Sequence, residues 1–252
     1  MRPLLLLALA GLTLAACDSS GPNTPPPGSP ASPPDVIVPL AVGEGWVFQT
    51  VQYRYDPQTG EPTGIPDTLA RLDTVRVVEV VEIEGETWYQ LDADRPGPAR
   101  TCFQRLYANR EDGLYRRVEP TAPAYRTVAY PVEAGDVYSV VPPFTLDGDG
   151  VHFEELVAVK RTDYPTVVDG TTWDGVLYTS TVQRLYQQGR DYPAAPNTPA
   201  SRDVYVPNVG FALTETSYFS VRNGAAQIGG RFRFLLTDRI APMAGKGASA
   251  AA

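Results

Sequence analysis

The chain has 252 residues, of which 43% are hydrophobic, and carries a net charge of −8. An acidic protein gains nothing by neutralising phosphates, so nucleic acid is not expected as a partner. Lys160 and Lys246 are the only lysines, so no polybasic patch is available to hold the protein on anionic lipid.

Residues 1–16 have the pattern of an export signal. A positive Arg2, an apolar run over 4–14 and small residues up to Ala16 precede Cys17. The apolar run is too short to cross a bilayer, which needs about 20 such residues. We therefore expect a cleaved signal peptide, with cleavage between Ala16 and Cys17. A signal for ordinary secretion is the alternative.

The motif Leu14-Ala15-Ala16-Cys17 resembles the lipobox of bacterial lipoproteins. The resemblance implies a diacylglycerol thioether on Cys17 and acylation of the new amino terminus. One acyl chain anchors a protein only marginally, whereas two or three hold it durably. The expected location is the bacterial cell envelope, on a membrane reached through the lipid of Cys17. Asp18 resembles an inner-membrane retention signal of enteric bacteria, but the choice of membrane stays open.

The segment after the signal predicts a spacer. Residues 17–35 hold the lipidated cysteine and a Pro/Ser-rich stretch with seven prolines and little apolar bulk, which favours disorder. Extended polyproline II at about 3.1 Å per residue gives a reach of up to about 55 Å. Residues 241–252 are expected to form a disordered tail. One domain, 36–240, remains.

This domain is predicted to be all-β. No window of a dozen residues shows a helical apolar stripe free of Pro and Gly. Short runs rich in Val, Thr, Tyr and Phe predict strands, and hairpin turns at 84–85, 169–170 and 223–224 indicate antiparallel pairing. The predicted strand runs are 46–55, 75–83, 86–91, 101–108, 113–118, 124–130, 136–141, 151–161, 172–186, 203–207, 211–221 and 226–237.

Three short motifs recur in the same order in both parts of the domain. Their order predicts two related β-meanders, about 36–123 and 124–240, which complete one sheet together; chance similarity is the alternative. The matching pairs are Pro39–Trp46 with Pro131–Tyr138, Glu84–Trp88 with Asp169–Trp173, and Gln104–Tyr107 with Gln183–Tyr186.

A strongly curved antiparallel sheet, as a half-barrel or barrel, is the predicted fold, because curvature protects the edges of a sheet. A β-sandwich is the alternative. The domain also resembles a group of uncharacterised all-β envelope lipoproteins in the segments 39–48, 85–88, 131–136 and 207–211. The resemblance implies a curved sheet such as the half-barrels of periplasmic lipoprotein carriers. It implies no activity and no catalytic residue.

The sequence shows no recognisable catalytic set. His152 is the single histidine, so a zinc site with two histidines is excluded. No Gly-x-Ser-x-Gly elbow, phosphate loop or dinucleotide fingerprint occurs. Asp147 and Asp149 alternate as calcium ligands can, but an ordinary Asp-Gly turn is the favoured interpretation. We therefore expect no cofactor and a protein that is not an enzyme.

Cys102 is the only cysteine besides Cys17, so no intrachain disulfide is expected. We interpret Cys102 as a small buried apolar residue. The alternative is a reactive thiol, which would need a cationic neighbour to lower its pKa.

The chain is rich in aromatic residues, with 14 Tyr, 8 Phe and 3 Trp. Most should fill the core, but some could line a concave site for an apolar ligand. Asp191, Tyr192 and Pro193 open a proline-rich loop over 191–201, a candidate ligand or lid loop or else a surface insertion. The first hypothesis is a lipoprotein that binds a hydrophobic molecule or an envelope protein. A structural or assembly lipoprotein without a ligand cavity comes second, and a hydrolase last.

Overall fold

The computed structural model describes residues 35–55, 63–142, 151–187, 190–194, 198–222 and 225–242. The predicted signal peptide, Cys17, the tether from 18 to 34, Asp147 and Asp149 and the turn at 223–224 lie outside this part of the chain, as does nearly all of the predicted tail. The all-β prediction is confirmed, because thirteen strands and one six-residue helix make up the described elements.

The elements follow in chain order. They are β1 (Gly45–Arg54), β2 (Asp67–Ile83), β3 (Glu86–Ala93), α1 (Pro98–Phe103), β4 (Leu106–Arg110), β5 (Gly113–Arg117), β6 (Tyr125–Ala129), β7 (Val137–Val140), β8 (Val151–Val168), β9 (Thr171–Gln187), β10 (Arg190–Pro193), β11 (Pro199–Val206), β12 (Gly210–Arg222) and β13 (Ala225–Ile240).

All strands belong to one antiparallel sheet. Its order is β6-β5-β4-β3-β2-β1-β13-β12-β11-β9-β8-β7, and β10 pairs only with β9. The two ends of this path, β6 and β7, meet again, since the backbone N–H of Ala129 donates to the hydroxyl of Tyr138 at 3.1 Å. The sheet is therefore nearly closed into a barrel. The curved sheet is confirmed, and the sandwich alternative is wrong.

The barrel consists of two sequential runs of strands, β1–β6 and β7–β13. The residues that lead into the first strand of each run make matching backbone hydrogen bonds. In each run, a Gly-Glu or Gly-Asp pair before the first strand exchanges two backbone hydrogen bonds with a valine of the second strand. The bonds are Gly43 N to Val77 O and Val77 N to Glu44 O in one run, and Gly135 N to Val159 O and Val159 N to Asp136 O in the other. The first motif pair thus occupies equivalent positions.

The second motif pair also occupies equivalent turns. Glu84-Gly85 joins β2 to β3, and Asp169-Gly170 joins β8 to β9; both residues of each turn have positive φ, as a type I′ hairpin requires. The third pair is not equivalent. Gln104–Tyr107 leads into β4, whereas Gln183–Tyr186 lies near the end of β9.

One predicted strand, 101–108, is wrong in its first half. Residues 98–103 form α1, which begins with Pro98, a residue whose fixed φ suits the first helical turn. The helix buries Ala99 and Phe103 and places the Phe103 ring inside the barrel. A six-residue helix has too few residues to show helical periodicity, so the sequence pattern did not reveal it.

An aromatic cluster fills the barrel beside α1. Phe103 stacks on Phe48 with ring centroids 5.2 Å apart and meets Phe211 and Phe234 edge-on. The Trp46 indole is fully buried and donates to the backbone carbonyl of Val209 at 2.8 Å. Burying aromatic side chains of this size dominates the energetics of a core. This part of the interior is occupied by the protein's own side chains.

Candidate functional site

The structure places the predicted ligand loop in a short edge strand. Asp191, Tyr192 and Pro193 belong to β10, which runs antiparallel to the end of β9. Asp191 is exposed and lies 3.6 Å from Arg184 as an ion pair. The irregular loop over 191–201 is therefore shorter than predicted, because β10 and the start of β11 occupy most of it.

His152 and Cys102, also singled out in the sequence, lie in different elements of the fold. His152 lies in β8, as predicted for a strand, and its side chain lies outside the described part. Cys102 is a free, partly buried cysteine in α1 that packs against the core. Burial raises the pKa of the Cys102 thiol to about 12, despite the positive charges of Arg116 and Arg105. At neutral pH it is an uncharged thiol, and a thiol is a poor nucleophile.

The clearest irregularity of the barrel is the seam between β6 and β7. Among the described residues, no strand pairs with the outer edge of either one. Side chains connect β6 to the other end of the sheet instead. Ala129 on β6 donates its N–H to the hydroxyl of Tyr138 on β7, and its carbonyl accepts the hydroxyl of Tyr178 on β9 at 2.8 Å. Two tyrosines therefore replace the missing strand at this residue.

A surface hollow of about 600 Å³ lies over the seam. Two arginines on its wall are already paired, Arg110 with Glu86 at 2.7 Å and Arg126 with Asp112 at 2.8 Å. The side chains that line the hollow include Arg110, Glu111, Asp112, Arg126, Val132 and Asp136. Among the described residues, Glu111 and Asp136 make no ion pair, so the hollow has an excess of negative charge.

The outer face at β7, beside this hollow, carries two exposed valines with the exposed Ser139 between them. Val137 and Val141 are 57% and 51% exposed, and Leu156 on the neighbouring β8 is 38% exposed. The alternate residues Tyr138 and Val140 point inward and are buried or partly buried, as the period of a strand requires. An exposed apolar strand edge is a template for pairing with another chain.

Behind the seam, a polar network crosses the interior faces of β8, β9 and β11. The Ser180 hydroxyl lies within hydrogen-bond distance of a Glu155 carboxylate oxygen and 2.9 Å from the Ser201 hydroxyl. The Ser201 hydroxyl is 2.7 Å from a carboxylate oxygen of Asp203. Ser180 is buried, whereas the other three residues keep some contact with solvent. A row of carboxyl, hydroxyl, hydroxyl and carboxyl groups results.

Both acids of this network have raised pKa values. Burial, together with the nearby charges of Glu155 and Glu215, raises the pKa of Asp203 to about 7, although hydrogen bonds from Ser201 and Thr214 oppose the rise. Burial also raises the pKa of Glu155, while the hydrogen bond from Ser180 and the charge of Arg116 oppose it. An arginine does not lose its proton in a protein, so Arg116 is a fixed positive charge beside Glu155.

Sequence reasoning missed the seam and the network. The four network residues lie on three strands and form no motif along the chain. One sequence signal could have revealed the network. In β11, Ser201, Asp203 and Tyr205 occupy alternate positions and therefore lie on one face of the strand. Two polar residues on an inward face are the mark of a buried polar layer.

No family model matches the chain, and no curated protein matches it. Among solved structures, the chain is similar to the crystal structure of a "putative lipoprotein" from Parabacteroides distasonis ATCC 8503. The two share 13% sequence identity with a TM-score of 0.35, over 81% of this chain and 98% of the other. In the described residues, no helix has the length and apolar character that a membrane crossing requires.

Proposed function

We propose that this protein is a lipid-anchored envelope protein, without enzymatic activity, that binds an extended segment of another envelope protein at the seam. The observation that supports the proposal most is the free edge of β7 in a sheet whose path is otherwise continuously paired. In strand addition, backbone hydrogen bonds to such an edge supply affinity, and flanking side chains supply specificity.

The side chains around the seam suggest the chemistry of the segment. Exposed Val137, Val141 and Leu156 favour apolar residues at alternate positions of an added strand. The carboxylates of Glu111 and Asp136, which form no ion pair among the described residues, favour a lysine or arginine at the same end. The protein's own tether, residues 18–34, is a poor candidate because its prolines cannot donate backbone hydrogen bonds.

A hydrophobic ligand held within the barrel is less well supported. The interior beside α1 is filled by packed aromatic rings, including Phe48, Phe103 and Phe234. A ligand there would have to displace them, and large core side chains contribute about 3–5 kcal/mol each. Of the two binding hypotheses from the sequence, the protein partner therefore agrees better with the packing.

Photocrosslinking in cells tests the binding surface. A photoreactive amino acid is placed at Val137 and at Val141 in the full chain, with Val80 as the control, since Val80 is an equally apolar, 43% exposed strand residue away from the seam. The proposal predicts adducts at both seam positions with one extended segment of one protein, and none at Val80. A synthetic peptide of that segment should then slow hydrogen exchange in β7.

Three results would overturn the proposed partner. An adduct with twice the mass of the chain would mean that a second copy covers the seam. Equal adducts at Val80 would mean non-specific contact. Absence of any adduct at Val137 and Val141 would mean that the edge is free in the cell.

The anchor is tested separately. Cells fed a clickable palmitate analogue should label the wild-type protein, and Cys17→Ala should abolish the label and release the domain from membranes. A Cys102→Ala variant is the matched control and should remain labelled. Labelling that survives Cys17→Ala would disprove the proposed anchor.

A further inference from the structure

The contacts of the polar network behind the seam need one more hydrogen than its two hydroxyl groups supply. Glu155, Ser180, Ser201 and Asp203 are linked in a row by three oxygen–oxygen contacts. Each contact needs a hydrogen between its two oxygens, because facing lone pairs repel. The two serine hydroxyls supply two hydrogens, and an ionised carboxylate supplies none. One carboxyl group must therefore be protonated for every contact to be a hydrogen bond.

We propose that the folded barrel binds one proton in this network, shared between Glu155 and Asp203 and relayed through the hydroxyls of Ser180 and Ser201. The proton can enter the row from either end. In one arrangement Asp203 donates to Ser201, Ser201 to Ser180, and Ser180 to Glu155. In the other, all three donors are reversed.

Both arrangements place one hydrogen in each of the three contacts of the row. The backbone N–H of Ser201 donates to the Ser180 hydroxyl oxygen at 3.0 Å, which leaves that oxygen one further lone pair for a hydroxyl or carboxyl donor. Moving the three hydrogens one contact along the row converts one arrangement into the other. Polar networks in a low-dielectric interior are stable only when fully satisfied.

Arg116 selects the arrangement. Its charge favours the ionised form of Glu155, so the proton rests on Asp203, and the single negative charge rests on Glu155. One carboxylate then balances one guanidinium in the interior. Two carboxylates would leave an unpaired buried charge, which is costly.

Arg116 is the cation whose charge acts on Glu155, whereas Arg231 and Arg233 are already paired with the carboxylate of Glu215. The titratable and charged groups that act on the two acids or on Arg116 are Tyr107 on β4, Tyr125 on β6, Tyr138 on β7, Tyr205 on β11, Glu215 on β12 and Cys102 on α1, besides the network itself. The tyrosines are neutral at physiological pH, because burial raises the pKa of Tyr138 to about 12 and that of Tyr205 well above its usual range.

The shared proton makes folding depend on pH. Burial raises the pKa of Asp203 from 3.8 to about 7, so between these values the folded chain holds a proton that the unfolded chain releases. The stabilisation from this proton is therefore fully present at and below the unfolded pKa of Asp203 and is lost as pH rises towards about 7. The equilibrium constant for unfolding should increase by up to about tenfold per pH unit across this window and level off above it.

Urea unfolding across this pH range tests the proposal with two variants. Asp203→Asn should remove the contribution of this proton to the pH dependence between about pH 4 and 7, because an amide cannot ionise. Asp163→Asn is the control, since Asp163 is an exposed acid in β8, and it should keep the dependence of the wild type. A wild-type slope of zero, or an unchanged slope in Asp203→Asn, would overturn the proposal.

An infrared measurement keeps the test independent of whether Asp203→Asn folds. At about pH 6, ordinary carboxylic acids are ionised, so the wild-type spectrum in D₂O should show the C=O stretch of one protonated carboxyl group. The band should disappear by about pH 9. A spectrum at about pH 6 without such a band would contradict the shared proton.

Discussion

The two junctions between the strand runs differ sharply, although the runs begin alike. At one junction β1 pairs with β13 along its whole length, from Gly45 to Arg54. At the other, β6 and β7 lie side by side without strand pairing, and two tyrosine hydroxyls bond to Ala129. By the likeness of the two runs, β7 should pair with β6 as β1 pairs with β13.

Strand length explains the difference. β1 and β13 have 10 and 16 residues, whereas β6 and β7 have five and four. A short pair gains few cross-strand contacts to offset the conformational entropy of ordering both strands. The junction of β1 with β13 is therefore closed by strand pairing. The junction of β6 with β7 is held by side chains, and the outer edge of β7 is left available for another strand.

The largest expected effect is the difference in stability loss between Trp46→Ala and Tyr138→Ala, two aromatic residues at matching positions of the first motif pair. Trp46→Ala should cost about 3–5 kcal/mol, because it empties a fully buried aromatic site and loses the hydrogen bond to Val209. Tyr138→Ala should cost less, since Tyr138 is only partly buried. Urea unfolding measures both. Equal losses would mean that the seam is as tightly packed as the closed junction.

Gly113→Ala should have the next largest effect, about 2–3 kcal/mol. A Cβ at Gly113, whose φ is +140°, would lie 2.0 Å from the carbonyl oxygen of Val128 on β6. The substitution therefore pushes β6 away from β5, the strand with which it pairs among the described residues. Gly85→Ala, where nothing lies within 4 Å, is the control and should cost about 1 kcal/mol. Similar losses for both would refute the crowding at β6.

Removing the seam hydroxyls should cost about 1 kcal/mol each. Tyr138→Phe takes away the acceptor of the Ala129 N–H, so that amide should exchange faster. Tyr178→Phe takes away the donor to the Ala129 carbonyl and should destabilise without that specific effect. Hydrogen exchange by NMR distinguishes the two. Faster exchange in β1 as well would show that the junctions are not independent.

The smallest expected effect is on the rate at which cysteine thiols react. Cys102 should react slowly with a thiol reagent in the folded protein, because burial raises its pKa to about 12. A cysteine introduced by Ser139→Cys, at an exposed position of β7, should react at an ordinary rate in the Cys102→Ala background. Equal rates would contradict the contrast between a closed interior and an open edge.

The sequence predicts local features of this fold well and distant ones poorly. The turns at Glu84-Gly85 and Asp169-Gly170 follow from glycine chemistry, and most strands follow from alternation. The seam does not, because it depends on how long each strand remains paired after the sheet curves. The contact of Ser180 with Ser201 depends on the β9–β11 register, which no local pattern encodes.

Hydrogen exchange and cross-strand NOEs of the isolated domain test the open seam most directly. Amides of β1 and β13 should exchange only with global unfolding, and those on the outer edge of β7 should exchange much faster. Interstrand Hα–Hα NOEs should link β1 to its neighbours and be missing between β6 and β7. A ladder of such NOEs across β6 and β7, with protection equal to that of β1, would contradict this account.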